Sequence, residues 1–387
     1  MAFCAKRNIM IVSLFIFLFV CVLLFIYIHF SSFKSSNLVK LQDTDNLLSK
    51  HDQKQGETKD TTTTMNYRSQ LPNSSDTKNK YLTGLRFFDS SKFRLAQGHD
   101  LQPSNTCVET RLKPTFTICV YQKDEDKYVS SSILDFGMWE PEISLLIKDI
   151  LIRYARKDVI VLDIGANLGI HGLFAAKIGY KVWAIEPQPR NLIRMFRSAL
   201  KSNVLDKLTF VQNGIDDIRR STYMDIDRLN NGGSFISLTN QSEHSNTLRN
   251  TSFPLTIRLQ TVLLKDIFYA IRHHTSSLPS AAVMKIDIEN FECRAFLGSP
   301  EVLSPTQDIP LLAVIMEWTF PGENDLKGER CPKEKVVKLV KLFLHNGYTP
   351  FRLSKNGLTK LDLSNFGVKW HGINVAWLTS SILKYYT

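Results

Sequence analysis

Three carboxylates stand where a hydroxyl-activating site would need them. Met284-Lys285-Ile286-Asp287-Ile288-Glu289 is an apolar strand that turns acidic at its end, and Val314-Ile315-Met316-Glu317 repeats the pattern further on. In an open α/β sheet the C-terminal strand ends line the ligand crevice, so Asp287, Glu289 and Glu317 are expected to face a bound ligand. A carboxylate there can take the proton from a hydroxyl as its oxygen attacks an electrophilic carbon. That is general base catalysis, aided chiefly by alignment of the reacting atoms. The same groups could instead cap helix N-termini or pair with Lys285, so the base is not singled out among them.

A second constellation is Val161-Leu162-Asp163-Ile164-Gly165-Ala166-Asn167-Leu168-Gly169-Ile170, an apolar strand running into a glycine-punctuated turn and a helix. Gly165 and Gly169 let the backbone pass close to a ligand, and the free N–H groups of the helix start point at it. Lys181 to Ile185 reads as the next strand. It ends in Glu186, about 20 residues after the first glycine, where a carboxylate accepts both ribose hydroxyls of a nucleotide-like cofactor. The dinucleotide fingerprint is not met, because Asn167 stands where its second glycine belongs. Asp163, just before the turn, suits a cationic ligand better than a diphosphate. S-adenosylmethionine carries an ammonium and a sulfonium and fits that charge. Asp163, Gly165, Asn167, Gly169 and Glu186 are therefore the expected cofactor contacts. His171 either faces this pocket from the first helical turn or is satisfied in the core, and His371 is a weaker candidate.

The elements that must hold these residues alternate as a doubly wound sheet requires. Helices are expected over Glu140 to Tyr154, Ile170 to Ile178, Pro189 to Leu200 and Val336 to Leu344. Strands are expected at Thr115 to Tyr121, Leu208 to Gln212, Ala282 to Asp287 and Leu311 to Met316. Two late antiparallel strands follow, Tyr348 to Leu353 and Asn374 to Leu378. Asn213 to Thr256, with Asn230-Asn231-Gly232-Gly233, reads as a turn-rich surface excursion.

The chain has 387 residues, 43% of them hydrophobic and 22% charged, enough for a membrane segment plus one globular domain. Ile9 to Phe30 is an almost unbroken apolar run, long enough to span a bilayer, with Lys6 and Arg7 before it. It reads as an uncleaved signal anchor behind a cytosolic tip (1–8), which places the rest of the chain in the lumen or outside the cell. Residues 31–100 are rich in Ser, Thr, Asn, Gln, Lys and Asp and read as a flexible stem. A lead-in region (101–155) and the main domain (156–387) follow. Asn73, Asn240 and Asn250 open glycosylation triplets. Cys107, Cys119, Cys293 and Cys331 lie on the outer side and permit two disulfides in three connectivities, with Cys107–Cys119 the easiest local pair. No C-x-x-C pair or histidine partner gives them metal-ligand spacing, so no metal site is expected. The net charge of +11 is spread along the chain without an arginine-rich, aromatic-interleaved run. Nucleic acid is not an expected partner; an anionic membrane or acidic glycan is.

The order of Val161 to Gly169, Ala184-Ile185-Glu186-Pro187, Met284 to Glu289 and Val314 to Glu317 resembles the FkbM-type methyltransferases, over about Asp158 to Leu353. The resemblance implies a Rossmann-like, seven-stranded methyltransferase sheet and S-adenosylmethionine-dependent transfer, mostly O-methylation. It also implies cofactor contacts from Gly165, Asn167, Gly169 and Glu186, and a site shaped by Asp287 and Glu289. The family usually has Gly where Asn290 stands, and Asn tolerates the left-handed geometry that such a turn needs. Lys265 replaces a more typical Asp, a charge reversal expected to bear on substrate preference or activity. With the anchor and stem, the resemblance points to O-methylation of a glycan, lipid or small molecule in the Golgi or endoplasmic reticulum. Two other readings remain. Asp225-Ile226-Asp227 matches the D-x-D that holds a metal on a nucleotide sugar in glycosyltransferases, and the domain could be a non-catalytic binding scaffold.

Overall fold

The computed structural model describes residues 84–88, 106–156, 158–226, 234–236, 255–320, 330–365 and 370–386. The expected anchor, most of the stem, and Asn73, Asn240 and Asn250 lie outside these residues. Among the described residues no helix is long and apolar enough to cross a membrane.

One mixed eight-stranded sheet organises the domain. Its parallel core comprises β3 (Val159–Ile164), β4 (Lys181–Ile185), β5 (Leu208–Val211), β10 (Ala281–Ile286) and β11 (Leu311–Trp318). From β3 the chain moves outward to β4 and β5, then returns to the other side of β3 to lay down β10 and β11. This reversal is the topological switch point of a Rossmann-like α/β fold. Each strand is apolar because each is covered on both faces. Val159 and Val161 of β3 face one core cluster, while Ile160, Leu162 and Ile164 face the other. Helices α1 (Val129–Phe136), α2 (Pro141–Tyr154), α3 (Ile170–Lys177) and α4 (Pro189–Lys201) build the first cluster. Helices α5 (Leu264–His274), α6 (Glu292–Leu297) and α7 (Lys333–His345) build the second.

The expected count of seven strands is corrected to eight. Beyond β11 come β14 (Ile373–Thr379), β12 (Tyr348–Ser354) and β13 (Gly357–Lys360), all antiparallel to their neighbours. β13 is the extra strand. It folds back through Lys355-Asn356, and its residues are mostly exposed at the sheet edge, so no apolar pattern announces it. Residues 84–88, expected in the stem, cover the opposite edge, with Phe87 bridged to Val211. Arg86 and Phe88 exchange backbone hydrogen bonds with Gln212 and Phe210.

The expected surface excursion is also corrected. β6 (Gly214–Ile215), β7 (Ser221–Ile226), β8 (Phe235–Ile236) and β9 (Leu255–Val262) form a second sheet in the order β6-β9-β7-β8. Buried acids anchor the segment. Asp216 binds Arg294 and Arg220 at 2.6 and 3.0 Å, and Asp266 takes Arg219 in a fork at 2.6 and 2.8 Å. The lead-in hairpin, β1 (Cys107–Glu109) and β2 (Thr117–Cys119), docks on α4, where the Ser198 and Ser202 hydroxyls accept the Cys119 and Thr117 N–H groups. Two disulfides close the chain, Cys107–Cys119 and Cys293–Cys331.

Candidate active site

A cavity of about 230 Å³ opens at the C-terminal ends of β3, β4, β10 and β11, at the switch point. Of the expected contacts, Gly165, Asn167, Glu186, Asp287, Glu289 and Glu317 line it together. The turn after β3 is built from left-handed residues, Gly165 at φ +69°, Asn167 at +51° and Gly169 at +77°. Both glycines answer to protein packing as well. A Cβ on Gly165 would lie 1.8 Å from the Asp287 carbonyl oxygen, and one on Gly169 would lie 2.4 Å from Met195 Cγ. Gly169 does not line the cavity; it seats α3 against α4.

Glu186 is buried at the end of β4 and braces the turn. Its Oε2 accepts the Asn167 N–H at 2.8 Å, and its Oε1 accepts the Gln188 N–H at 2.9 Å and Asn191 Nδ2 at 3.3 Å. Burial raises its pKa to about 7 against the pull of those N–H groups. Asn167 Oδ1 is buried at the cavity without a partner among the described residues.

Asp163 is a correction. It does not line the cavity but lies fully buried in β3, its Oδ2 accepting the Gly172 N–H at 2.9 Å to hold the first turn of α3. Burial lifts its pKa to about 6, opposed by Lys285 on the neighbouring strand. Its charge is therefore spent inside the protein. Lys285 Nζ is itself buried, donating to the Gly165 carbonyl at 3.0 Å and reaching Asp287 Oδ2 at 3.5 Å. Burial works against its charge, yet Asp287, Asp163 and Glu140 outweigh it and raise the pKa.

Beyond β10 the backbone takes two left-handed residues in succession, Glu289 at φ +56° and Asn290 at +68°. The Asn290 turn survives as expected, with its Oδ1 accepting the Thr319 hydroxyl at 3.2 Å. Glu292 closes this loop by accepting the Ile288 N–H at 2.8 Å, and burial raises its pKa to about 8. His171 is both buried and at the cavity wall. Its Nδ1 shares a hydrogen bond with Ser144 Oγ at 2.9 Å, and burial, then Lys285, holds its pKa well below the ordinary value.

Tyr128, Trp139 and Glu140 of the lead-in region also line the cavity, and nothing in the sequence reading pointed to them. Glu140 precedes α2 with φ +41°, and its Oε1 accepts Asn374 Nδ2 at 2.7 Å. Burial raises its pKa, eased by Asn374 and reinforced by Asp287. Only the dipeptide Glu140-Pro141, a helix-start signal, marks this position in the sequence. Lys265 lies away from the cavity lining and pairs with Glu301 at 3.0 Å, so its charge reversal is met at the surface. Asp225 lies outside the lining too, accepting the Thr256 hydroxyl at 3.0 Å, while Asp227 falls outside the described residues. Among the described residues no group of three or more His, Cys, Asp or Glu could hold a metal ion. His371 Nδ1 meets the Phe320 carbonyl at 3.2 Å and does not line the cavity.

Residues 163–350 match the family model of the methyltransferase FkbM domain. The FkbM match covers just under half of the chain. It begins at Asp163, ends at Pro350, and so takes in Gly165, Glu186, Asp287, Glu289 and Glu317 but none of the lead-in wall. No curated protein matches the sequence. Among solved structures, the O-methyltransferase from Bacillus cereus in complex with SAH is 12% identical at a TM-score of 0.34. The alignment covers 62% of this chain and 82% of that one. Precorrin-6y C5,15-methyltransferase from Geobacter metallireducens is 11% identical at 0.30, covering 65% and 94%. Cofactor-bound Rv0187 from MTB is 10% identical at 0.33, covering 63% and 82%.

Proposed function

We propose that this protein transfers a methyl group from S-adenosylmethionine to a hydroxyl of a glycan, lipid or small molecule. The carrying observation is one cavity that joins Glu186 at one strand end to Asp287, Glu289 and Glu317 at two others, all four of them within the span of the FkbM match. The residues fit the cofactor. Glu186 would take the ribose hydroxyls, and the orphaned Asn167 Oδ1 is a buried acceptor suited to the ammonium. When bound, the cofactor supplies a methyl group made electrophilic by its sulfonium. Asp287, whose carboxylate Lys285 holds beside the cavity, would take the proton of the acceptor hydroxyl as that oxygen displaces the neutral sulfide from the methyl carbon.

The setting proposed is the secretory pathway, with Ile9 to Phe30 as anchor and the domain lumenal. Two disulfides support an oxidising compartment, where such bonds persist. Calorimetric titration with S-adenosylmethionine, alongside Glu186→Gln, tests the cofactor. The variant should bind about tenfold or more weakly, a loss of about 1.5–3 kcal/mol. A folded protein that binds no S-adenosylmethionine would overturn the reading.

A further inference from the structure

His171 stands on the cavity wall, and the transfer proposed above gives it no task. It belongs to the first turn of α3, is only 3% exposed, and lines the cavity four residues after Asn167. Its two ring nitrogens have different surroundings. Nδ1 meets the Ser144 hydroxyl of α2 at 2.9 Å. Nε2 makes no hydrogen bond among the described residues, and it is not sealed from solvent as the unpaired Asn167 Oδ1 is.

Which nitrogen carries the proton follows from Ser144. That residue is wholly buried, and its hydroxyl has no hydrogen-bond partner other than His171 among the described residues. A proton on Nδ1 would turn toward Ser144 Oγ and leave the hydroxyl hydrogen buried without an acceptor, the costly state for a polar group. The hydroxyl therefore donates to Nδ1, and the ring proton stands on Nε2. Burial, then the Lys285 charge, keeps the ring from taking a second proton. The cavity wall thus gains a neutral N–H donor whose orientation is held from behind.

An anion fits this donor best. The charge felt by the ring is that of the buried Lys285 ammonium, and an N–H bonds a charged acceptor more strongly than a neutral hydroxyl. The acceptor hydroxyl belongs beside Asp287, which takes its proton. The amino-acid end of the cofactor carries a carboxylate on the same carbon as its ammonium. Asn167 Oδ1, the acceptor suited to that ammonium, lies in the turn that leads into His171.

We propose that His171 Nε2–H binds the carboxylate of S-adenosylmethionine, with Ser144 as the positioning residue that holds the ring in the required tautomer. This rests on the methyl-transfer reading and adds a contact that fixes the amino-acid end of the cofactor. The imidazole neither takes nor gives a proton in the transfer.

The test uses the full chain in detergent micelles and calorimetry with S-adenosylmethionine and its decarboxylated analogue, which keeps the ammonium, the sulfonium and the nucleoside. The parent should bind the analogue about tenfold or more weakly. His171→Phe should weaken S-adenosylmethionine binding about tenfold or more and leave binding of the analogue within about twofold. His171→Gln restores a side-chain N–H and should return S-adenosylmethionine affinity to within about threefold of the parent. Ser144→Ala releases the tautomer and should cost about threefold, again for the carboxylated probe alone. Nitrogen NMR of labelled histidines, with the resonance assigned by its loss in His171→Gln, should show a neutral Nε2–H ring across about pH 5–8. The ring tautomer and the preference of the parent between probes stand as tests whether or not His171→Phe folds. Equal losses for both probes in His171→Phe, as a purely structural histidine would give, or no loss there, overturn the carboxylate contact alone. So does an Nδ1–H ring, or an analogue that the parent binds as tightly as S-adenosylmethionine. A folded parent that binds neither probe overturns the methyl-transfer reading beneath it.

Discussion

Alanine substitutions at three glycines separate backbone strain from close packing, because all three sit at positive φ but face different neighbours. Gly179 has φ +104° and nothing within 4 Å of a built Cβ, so Gly179→Ala should cost only the strain, about 1–2 kcal/mol. At Gly169 the new methyl meets Met195 Cγ at 2.4 Å, the side chain of a flexible residue that can swing aside. Strain plus modest repacking predicts about 2–3 kcal/mol. At Gly165 the obstacle is the Asp287 carbonyl oxygen at 1.8 Å, which is backbone. Asp287 is tied to β3 by its own N–H, donated to the Ile164 carbonyl at 3.0 Å, so relief requires β3 and β10 to part. Strain, overpacking and loss of that hydrogen bond together predict about 4 kcal/mol or more. Urea unfolding followed by tryptophan fluorescence measures the series, at a common m-value. The expected order is Gly165→Ala worst and Gly179→Ala mildest. The reasoning fails if Gly165→Ala is no worse than Gly179→Ala, because the contact with Asp287 would then carry no energy.

Two further outcomes follow from the buried acids and the cross-links. Glu292 has its folded pKa raised to about 8 from 4.5, so the stability it contributes is complete below pH 4.5 and is lost as pH rises through 8. The loss is of order 4–5 kcal/mol for a fully buried group. Glu292→Gln keeps an oxygen for the Ile288 N–H and should make the domain more stable than the parent above pH 8, read as the urea midpoint across pH 5–9; an unchanged pH slope counts against it. Removal of Cys293–Cys331, which spans 38 residues, should cost about 4 kcal/mol, against about 3 for Cys107–Cys119, which spans 12. Thermal melts of the two double-alanine variants decide this, and equal losses would discount loop entropy.

The parallel core was legible because strands buried on both faces must be almost wholly apolar, as β3, β10 and β11 are, and their acidic ends named Asp287, Glu289 and Glu317 directly. What stayed hidden had a physical cause in each case. β13 is an exposed edge strand with no apolar stripe to show. β7 does alternate, burying Thr222, Met224 and Ile226, but its turn-rich surroundings and short partners masked the period. Asp163 has the right type and spacing for a ligand contact. It lies on the same face of β3 as Val159 and Val161, where α3 packs and the Gly172 N–H meets it, and which helix covers that face cannot be read from the strand alone. Glu140 acquires its place from a long-range partner, Asn374, 234 residues away.

The backbone itself marks the limits of the site more sharply than the span of the FkbM match does. Six non-glycine residues have positive φ, among the described residues. Ala155 follows α2, and Asn203 follows the C-cap of α4, so both belong to ordinary helix endings. Glu140, Asn167 and Glu289 line the cavity, and Asn290 completes the turn beyond Glu289. Each costs of order 1–3 kcal/mol, and none is needed to end a helix or close a hairpin. Three of the four fall inside residues 163–350, but Glu140 does not, although it shares the cavity and the electrostatic field of Asp287 and Lys285. The lead-in region therefore shares the cavity and its electrostatics with the matched residues. A fragment beginning at Asp163 would retain Glu186 and Asp287 but lose Tyr128, Trp139, Glu140 and the Ser144 hydroxyl that fixes His171.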